Sequence, residues 1–283
     1  MRFSAARVRA LAWPQPLAET VADVIPEPGE HSSPADGESA AELRRRRQVV
    51  AATAVVGAGV LGASLSTTPG SARFYGLTAA TALTWVVGGR AAGSLPRGWS
   101  QGRQGQPQRP VVAPILTGVG AFGAFYGAAL VARRIPVLDK AISSVLRYAD
   151  QGSGPLVLLT TLTNGVAEEV FFRGALYAAV GSSPRRAAVA STAGYVLATT
   201  ATRNPALILA SGVMGALFAF QRRATGGIQA STLTHLTWSA LMLWFLPPLF
   251  ERRLRRHRLR AQARVLTNAV IASSRRSTSA SST

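Results

Sequence analysis

Twelve carboxylates occur in the 283-residue chain, and only Glu168 and Glu169 fall inside its long apolar runs. They stand in Asn164-Gly165-Val166-Ala167-Glu168-Glu169-Val170-Phe171-Phe172-Arg173-Gly174, within an otherwise apolar segment from Pro155 to Val180 that is long enough to cross a bilayer as a helix. An ionised group there costs roughly 2.5–3.5 kcal/mol on insertion scales, so it requires a partner or a wet cavity. Glu169 and Arg173 are four residues apart with the acid on the N-terminal side, the favourable orientation for an ion pair. Glu168 is rotated about 100° away and shares its face with Asn164 and Phe172. One carboxylate is thus expected to be neutralised and the other left for chemistry. A packing role alone accounts for the Glu169–Arg173 pair as well as a functional one does, but it does not account for a second glutamate.

A second polar group interrupts the last apolar run at Leu233-Thr234-His235-Leu236-Thr237-Trp238-Ser239. Of three histidines, His31 and His257 lie in the polar ends, and only His235 lies in an apolar run, one helical turn from Ser239. A lone histidine on an apolar face is more often a hydrogen-bonded packing residue than a ligand. A mid-membrane glutamate pair changes that balance, because it needs polar neighbours and a proton acceptor. Glu168, His235 and Ser239 could hold a water with Glu168 as general base, or Glu168 and His235 could contribute to a metal site.

The elements that must position these residues are helical. Apolar runs extend over Val49–Leu65, Phe74–Gly88, Val111–Ala132, Pro155–Val180, Ala187–Thr202, Ala206–Phe220 and Ile228–Phe250. They imply an all-α, polytopic transmembrane bundle of about seven spans. Gly123 and Gly127 in the third run offer a small-xxx-small face for close helix packing. Between the third and fourth runs, residues 133–154 alternate apolar and charged positions and read as an amphipathic helix lying in the interface. The organisation expected is a disordered extension at 1–43, N-terminal membrane helices and the interfacial helix at 44–154, a functional core at 155–250, and a basic tail at 251–283.

Charge gives further bounds. Thirty arginines and a single lysine, Lys140, bring the net charge to +19. The Arg44–Arg47 cluster directly before the first run places the N-terminus in the cytoplasm by the positive-inside rule. The acid-free 90–110 segment, with Arg90, Arg97, Arg103 and Arg109, reads as a flexible cytoplasmic loop. Aromatic interleaving is slight and no RNA-binding motif is present, so nucleic acid is excluded as a partner. Seven arginines between Arg252 and Arg264 suit anionic lipid, yet seven crossings put that tail on the opposite side from Arg44–Arg47. With no cysteine, disulfides, thiolate metal sites and cysteine nucleophiles are excluded. Arginine-, alanine- and glycine-rich usage suggests a bacterial source and hence the plasma membrane.

The Glu-Glu-x-x-x-Arg run, with His-x-x-x-polar some sixty residues later, resembles the CPBP family, the type II CAAX prenyl endopeptidase-like intramembrane proteases, which include bacterial self-immunity proteins. The resemblance covers roughly residues 150–250. It implies an all-helical membrane bundle with its polar site in a cavity open to one side of the membrane, and an endopeptidase acting on a membrane-associated protein or peptide. In that reading Glu168 activates the hydrolytic water, and Glu169 supports the site with Arg173. His235 matches the family's last histidine, and Ser239 stands where asparagine is usual. The family's Phe-x-x-x-His is matched here by Tyr195-Val196-Leu197-Ala198-Thr199, with Thr199 in the place of histidine. A zinc site usually takes three protein ligands, and Glu168 and His235 supply two. The resemblance therefore leaves two functions open. One is a peptidase using a Glu-activated water, possible zinc, and an oxyanion held by His235, Ser239 and Thr199. The other is an inactive member that binds a membrane partner, as in self-immunity. A proton-coupled transporter finds no support in repeated halves or paired broken helices.

Overall fold

The computed structural model describes residues 39–93, 95–101, 106–181 and 183–250. The expected N-terminal extension up to residue 38, Arg103 and the basic tail from Glu251 lie outside the described residues. The helices are α1 (Ala40–Ser64), α2 (Ala72–Ala91), α3 (Val112–Ala132), α4 (Pro136–Gln151), α5 (Gly154–Glu168), α6 (Tyr177–Ala179), α7 (Pro184–Thr200), α8 (Pro205–Thr225) and α9 (Gln229–Phe245). A π-helical segment, Glu169–Leu176, joins α5 to α6 without a break.

Local chemistry sets several boundaries. Ser39 caps α1 in a reciprocal capping box with Glu42. Asn204 caps α8 ahead of Pro205, accepting from the amides of Ala206 and Leu207. Its amide nitrogen donates to the Ala141 carbonyl at 2.8 Å, which ties the start of α8 to α4. At the other end of α8, Gly226 adopts φ 70°, the left-handed conformation of a helix C-terminus.

Seven helical legs, α1, α2, α3, α5–α6, α7, α8 and α9, run alternately between two ends of the bundle. One end is rich in arginine. There Arg47 donates to the Ala179 carbonyl at 2.9 Å, Gln229 to the Pro110 carbonyl at 3.2 Å, and the Trp99 amide to the Thr225 carbonyl at 2.8 Å. The other end is the α4 end. Tyr148 of α4 donates to the carbonyls of Leu65 and Thr67, and Ala129, Leu146, Leu246 and Phe250 form one apolar cluster. By length and composition, α1, α3 and α8 are the three described helices long and apolar enough to cross a membrane. α4 is a 16-residue amphipathic helix, as its sequence pattern predicts.

Trp85, Phe171 and Phe172, all essentially inaccessible, form the centre of the main core, with Trp85 4.7 Å from Phe171 and 5.1 Å from Phe172 between ring centroids. Close packing of α1 on α2 depends on glycine: the Trp85 indole occupies the space a Cβ on Gly57 would need, and Thr53 does the same at Gly88.

Three expectations are corrected. Gly123 and Gly127 have open space where a Cβ would stand, and the close approach on α3 is made by Gly118, 2.9 Å from the Thr234 carbonyl by the same measure. Helix α3 packs on α9 along the line through Gly118, and a repeat of small residues cannot by itself say which face meets a neighbour. Phe172 does not share the Glu168 cavity face. The wider π turn breaks the 3.6-residue extrapolation, and Phe172 packs on Trp85 and Tyr195. The described residues of the 90–110 loop are held rather than flexible: Ser100–Gln101 pairs antiparallel with Pro107–Gln108, and Arg109 sits 3.8 Å over the Trp99 ring.

Candidate active site

Glu168 ends α5 and Glu169 begins the π segment, about midway along a continuous leg from Gly154 to Ala179. π-helical turns inside α-helices are found disproportionately at functional sites. Here the two adjacent carboxylates, one on each side of the start of this segment, enter different environments.

Glu169 is fully buried, as is Arg173, and Arg173 Nη1 donates to Glu169 Oε1 at 3.1 Å. The expected ion pair is present. Arg173 Nη2 also donates to the Gly215 carbonyl at 3.2 Å, and its guanidinium lies 4.7 Å from the Tyr195 ring centre and 4.9 Å from that of Phe218. Behind it, Arg222 of α8 donates to the Arg173 carbonyl at 2.9 Å. The guanidinium thus has a counter-charge, a backbone acceptor and two aromatic faces, which offset its burial, while Glu169 Oε2 and Arg173 Nε have no hydrogen-bond partner among the described residues.

His235 of α9 bridges the two glutamates. Its Nδ1 is 3.1 Å from Glu169 Oε1 and its Nε2 is 4.0 Å from Glu168 Oε2. With Glu169 ionised, Nδ1–H is the donor and Nε2 is turned toward Glu168. The imidazole stacks on Phe218, centroids 4.7 Å apart at 21°, so its plane is fixed. The 4.0 Å gap is too long for a hydrogen bond and leaves the two groups facing a common space.

That space is a cavity of about 850 Å³. Glu168, Tyr195, Thr199, His235 and Ser239 all line it, and the rest of the wall is mainly apolar, from α2, α3, α4, α5, α8 and the ends of α1 and α9 nearest α4. Glu168 retains 15% side-chain exposure into it. No described residue of the arginine-rich end contributes to the lining. The cavity thus runs from the glutamate toward the α4 end.

Tyr195 is the partner the sequence did not reveal. Its hydroxyl donates to Glu168 Oε2 at 2.7 Å. The tyrosine stands four residues before Thr199, in the position of the motif's aromatic residue, but nothing in the spacing says that a phenol on α7 meets a carboxylate on α5. Thr199 lines the cavity while its hydroxyl donates to the Tyr195 carbonyl at 2.8 Å, so that proton is spent on the backbone of its own helix. Ser239, 8% exposed, has no hydrogen-bond partner for its hydroxyl among the described residues and is free to donate into the cavity.

The donor set does not fit a three-ligand zinc site. Among the described residues only Glu168 and the Nε2 of His235 face the cavity as metal-type donors, because Glu169 is held by Arg173 and by the other ring nitrogen. Among the described residues no group of three or more His, Asp or Glu is arranged to hold a metal ion. The geometry suits a water between a carboxylate and an imidazole.

Residues 151–241, from the end of α4 to within α9, match the family model described as type II CAAX prenyl endopeptidase Rce1-like. No curated protein and no solved structure matches the chain. Over these residues the chain is similar to the CAAX-protease-like intramembrane proteases, and this likeness and the apolar helices support an integral membrane protein of that kind.

Proposed function

We propose that this CPBP-like site hydrolyses a peptide bond in a membrane-associated protein or peptide, using a water activated by Glu168. The observation that carries the reading is the division of labour between the glutamates. Glu169 is neutralised by Arg173, whereas Glu168 lines a cavity with one oxygen free of donors from the described residues and His235 Nε2 4.0 Å from the other.

In the step envisaged, Glu168 takes a proton from the water as its oxygen bonds to the scissile carbonyl carbon. The carbonyl electrons move onto oxygen, and the Ser239 hydroxyl donates to it. Collapse breaks the C–N bond, and the proton held by Glu168 passes to the leaving amine. His235 Nε2 acts according to its proton: protonated, it donates to the oxyanion, and neutral, it accepts from the water. The apolar wall favours an apolar substrate segment, and a lipid bilayer, taken as a bacterial plasma membrane with the arginine-rich end in the cytoplasm, is the setting.

One observation favours a second reading, partner binding without hydrolysis: Thr199 stands where the family has histidine and gives its hydroxyl to its own helix. Purified protein in detergent, incubated with a membrane-peptide library, separates the two. Glu168→Gln and His235→Ala are each expected to lower cleavage by at least about 100-fold, the scale of a lost general base, and Ser239→Ala by less. Added zinc or chelator is expected to leave the wild-type rate unchanged. Absence of wild-type cleavage, with all variants equally folded, would favour the binding reading.

A further inference from the structure

The two oxygens of Glu168 are in different situations. Oε2 accepts the Tyr195 phenol at 2.7 Å and is the atom nearest His235. The other oxygen accepts no hydrogen bond from the described residues. Tyr195 is therefore the only described side chain that donates to Glu168. It is itself well held. Its ring packs on Phe172 with centroids 4.9 Å apart, and the Arg173 guanidinium lies 4.7 Å from its ring centre on the way to Glu169. Its own carbonyl receives the Thr199 hydroxyl. A glutamate side chain has three rotatable bonds, and the cavity of about 850 Å³ leaves it room to use them. A rigid phenol on a neighbouring helix removes that freedom.

We propose that Tyr195 is the positioning residue of Glu168. It clamps Oε2, so that the free oxygen is presented to water in one orientation. The clamp joins the two glutamates through a single framework, because the ring that holds Glu168 also lies against the arginine that neutralises Glu169. A hydroxyl at position 195 takes up the support of Glu168 that the side chain at position 199, turned to its own backbone, does not give. The inference rests on reading Glu168 as the base, and its test is built so that the two can fail separately.

Tyr195→Phe keeps the ring and its packing and removes only the hydroxyl. The first readout needs no activity. Full-length protein in detergent is treated with dicyclohexylcarbodiimide, an apolar reagent for protonated carboxyl groups, and modification of Glu168 is followed by peptide mass spectrometry. A phenol donating to the carboxylate holds the protonated form down, so Glu168 in Tyr195→Phe is expected to react about tenfold faster than in wild type at neutral pH, the scale of one hydrogen bond to a charged group. Equal rates would overturn the proposal. The second readout is cleavage: kcat is expected to fall by about tenfold or more with KM unchanged, the pattern of a contact that matters only in the transition state. An unchanged kcat beside a changed modification rate would also overturn it. If the modification rates differ and wild type cleaves nothing, the clamp stands and the peptidase reading falls. Should Tyr195→Phe not fold, 3,5-difluorotyrosine placed at 195 keeps the packing and alters the donor; an unaltered modification rate would then count against the proposal.

Discussion

At the scale of single residues, the ion pair is the part of the site that a sequence can state. Glu169 and Arg173 are four apart on a helix, and they meet at 3.1 Å. Removing one partner leaves the other charge buried, at a cost of about 3–5 kcal/mol. Arg173→Met is therefore expected to lower the detergent melting temperature sharply. Arg173→Lys is expected to recover little of it, because an ammonium cannot reach both Glu169 and the Gly215 carbonyl in the fork that guanidinium makes. A thermal-shift series in one detergent checks both. The Tyr195–Glu168 contact was not legible in the same way. It joins residues 27 apart in sequence on different helices, and local periodicity carries no information about such a pair. His235 was legible as a candidate because histidine is rare in this chain. That it leans on Glu169 through Nδ1 and faces Glu168 with Nε2 depends on how α9 is set against α5.

At the scale of elements, apolar run lengths located the helices well, and the amphipathic α4 followed from its alternation. Two features escaped. The π segment has no sequence signature in its apolar residues, yet it decides which side chains follow Glu168 around the helix. The packing role of glycine was assigned to the wrong pair, since spacing identifies candidate contacts but not the neighbour that meets them. Gly57 and Gly123 make the difference measurable. Gly57→Val would drive a branched side chain into the Trp85 indole and is expected to lower the melting temperature or prevent accumulation, whereas Gly123→Val, in open space, is expected to shift it by only a few degrees. Comparable losses for both would contradict the packing described for α1 and α2.

At the scale of the whole molecule, seven legs place Ser39 and Phe250 at opposite ends of the bundle, and the cavity leads to the end where Phe250 lies. The chain has no cysteine, so each single replacement is its only thiol. Leu138→Cys at the α4 end and Arg97→Cys at the arginine-rich end are expected to react with a membrane-impermeant maleimide from opposite sides, tested on intact cells and inverted vesicles. Thr202→Cys on the cavity wall is expected to follow Leu138→Cys. Labelling of Thr202→Cys from the Arg97 side would contradict the direction of the cavity. Which end faces the cytoplasm is decided by the same experiment, and the sequence could not decide it alone, because clusters of arginine stand at both ends of the chain.

If Glu168 is the base proposed above, its depth sets a condition on what can be cut. Glu168 lies 14 residues into the leg that begins at Gly154, about 21 Å from that end at a rise of 1.5 Å per residue. A peptide entering as an intact helix would bring its carbonyls already hydrogen-bonded to its own backbone and would present no bond open to attack. A chain pulled out straight covers about 3.3 Å per residue, so roughly six or seven unwound residues would separate the entry from Glu168. A segment that unwinds easily, broken by proline or glycine and apolar enough to remain among these walls, meets that requirement. Susceptibility is then governed by how readily a substrate gives up its helix, more than by the identity of the residues beside the bond.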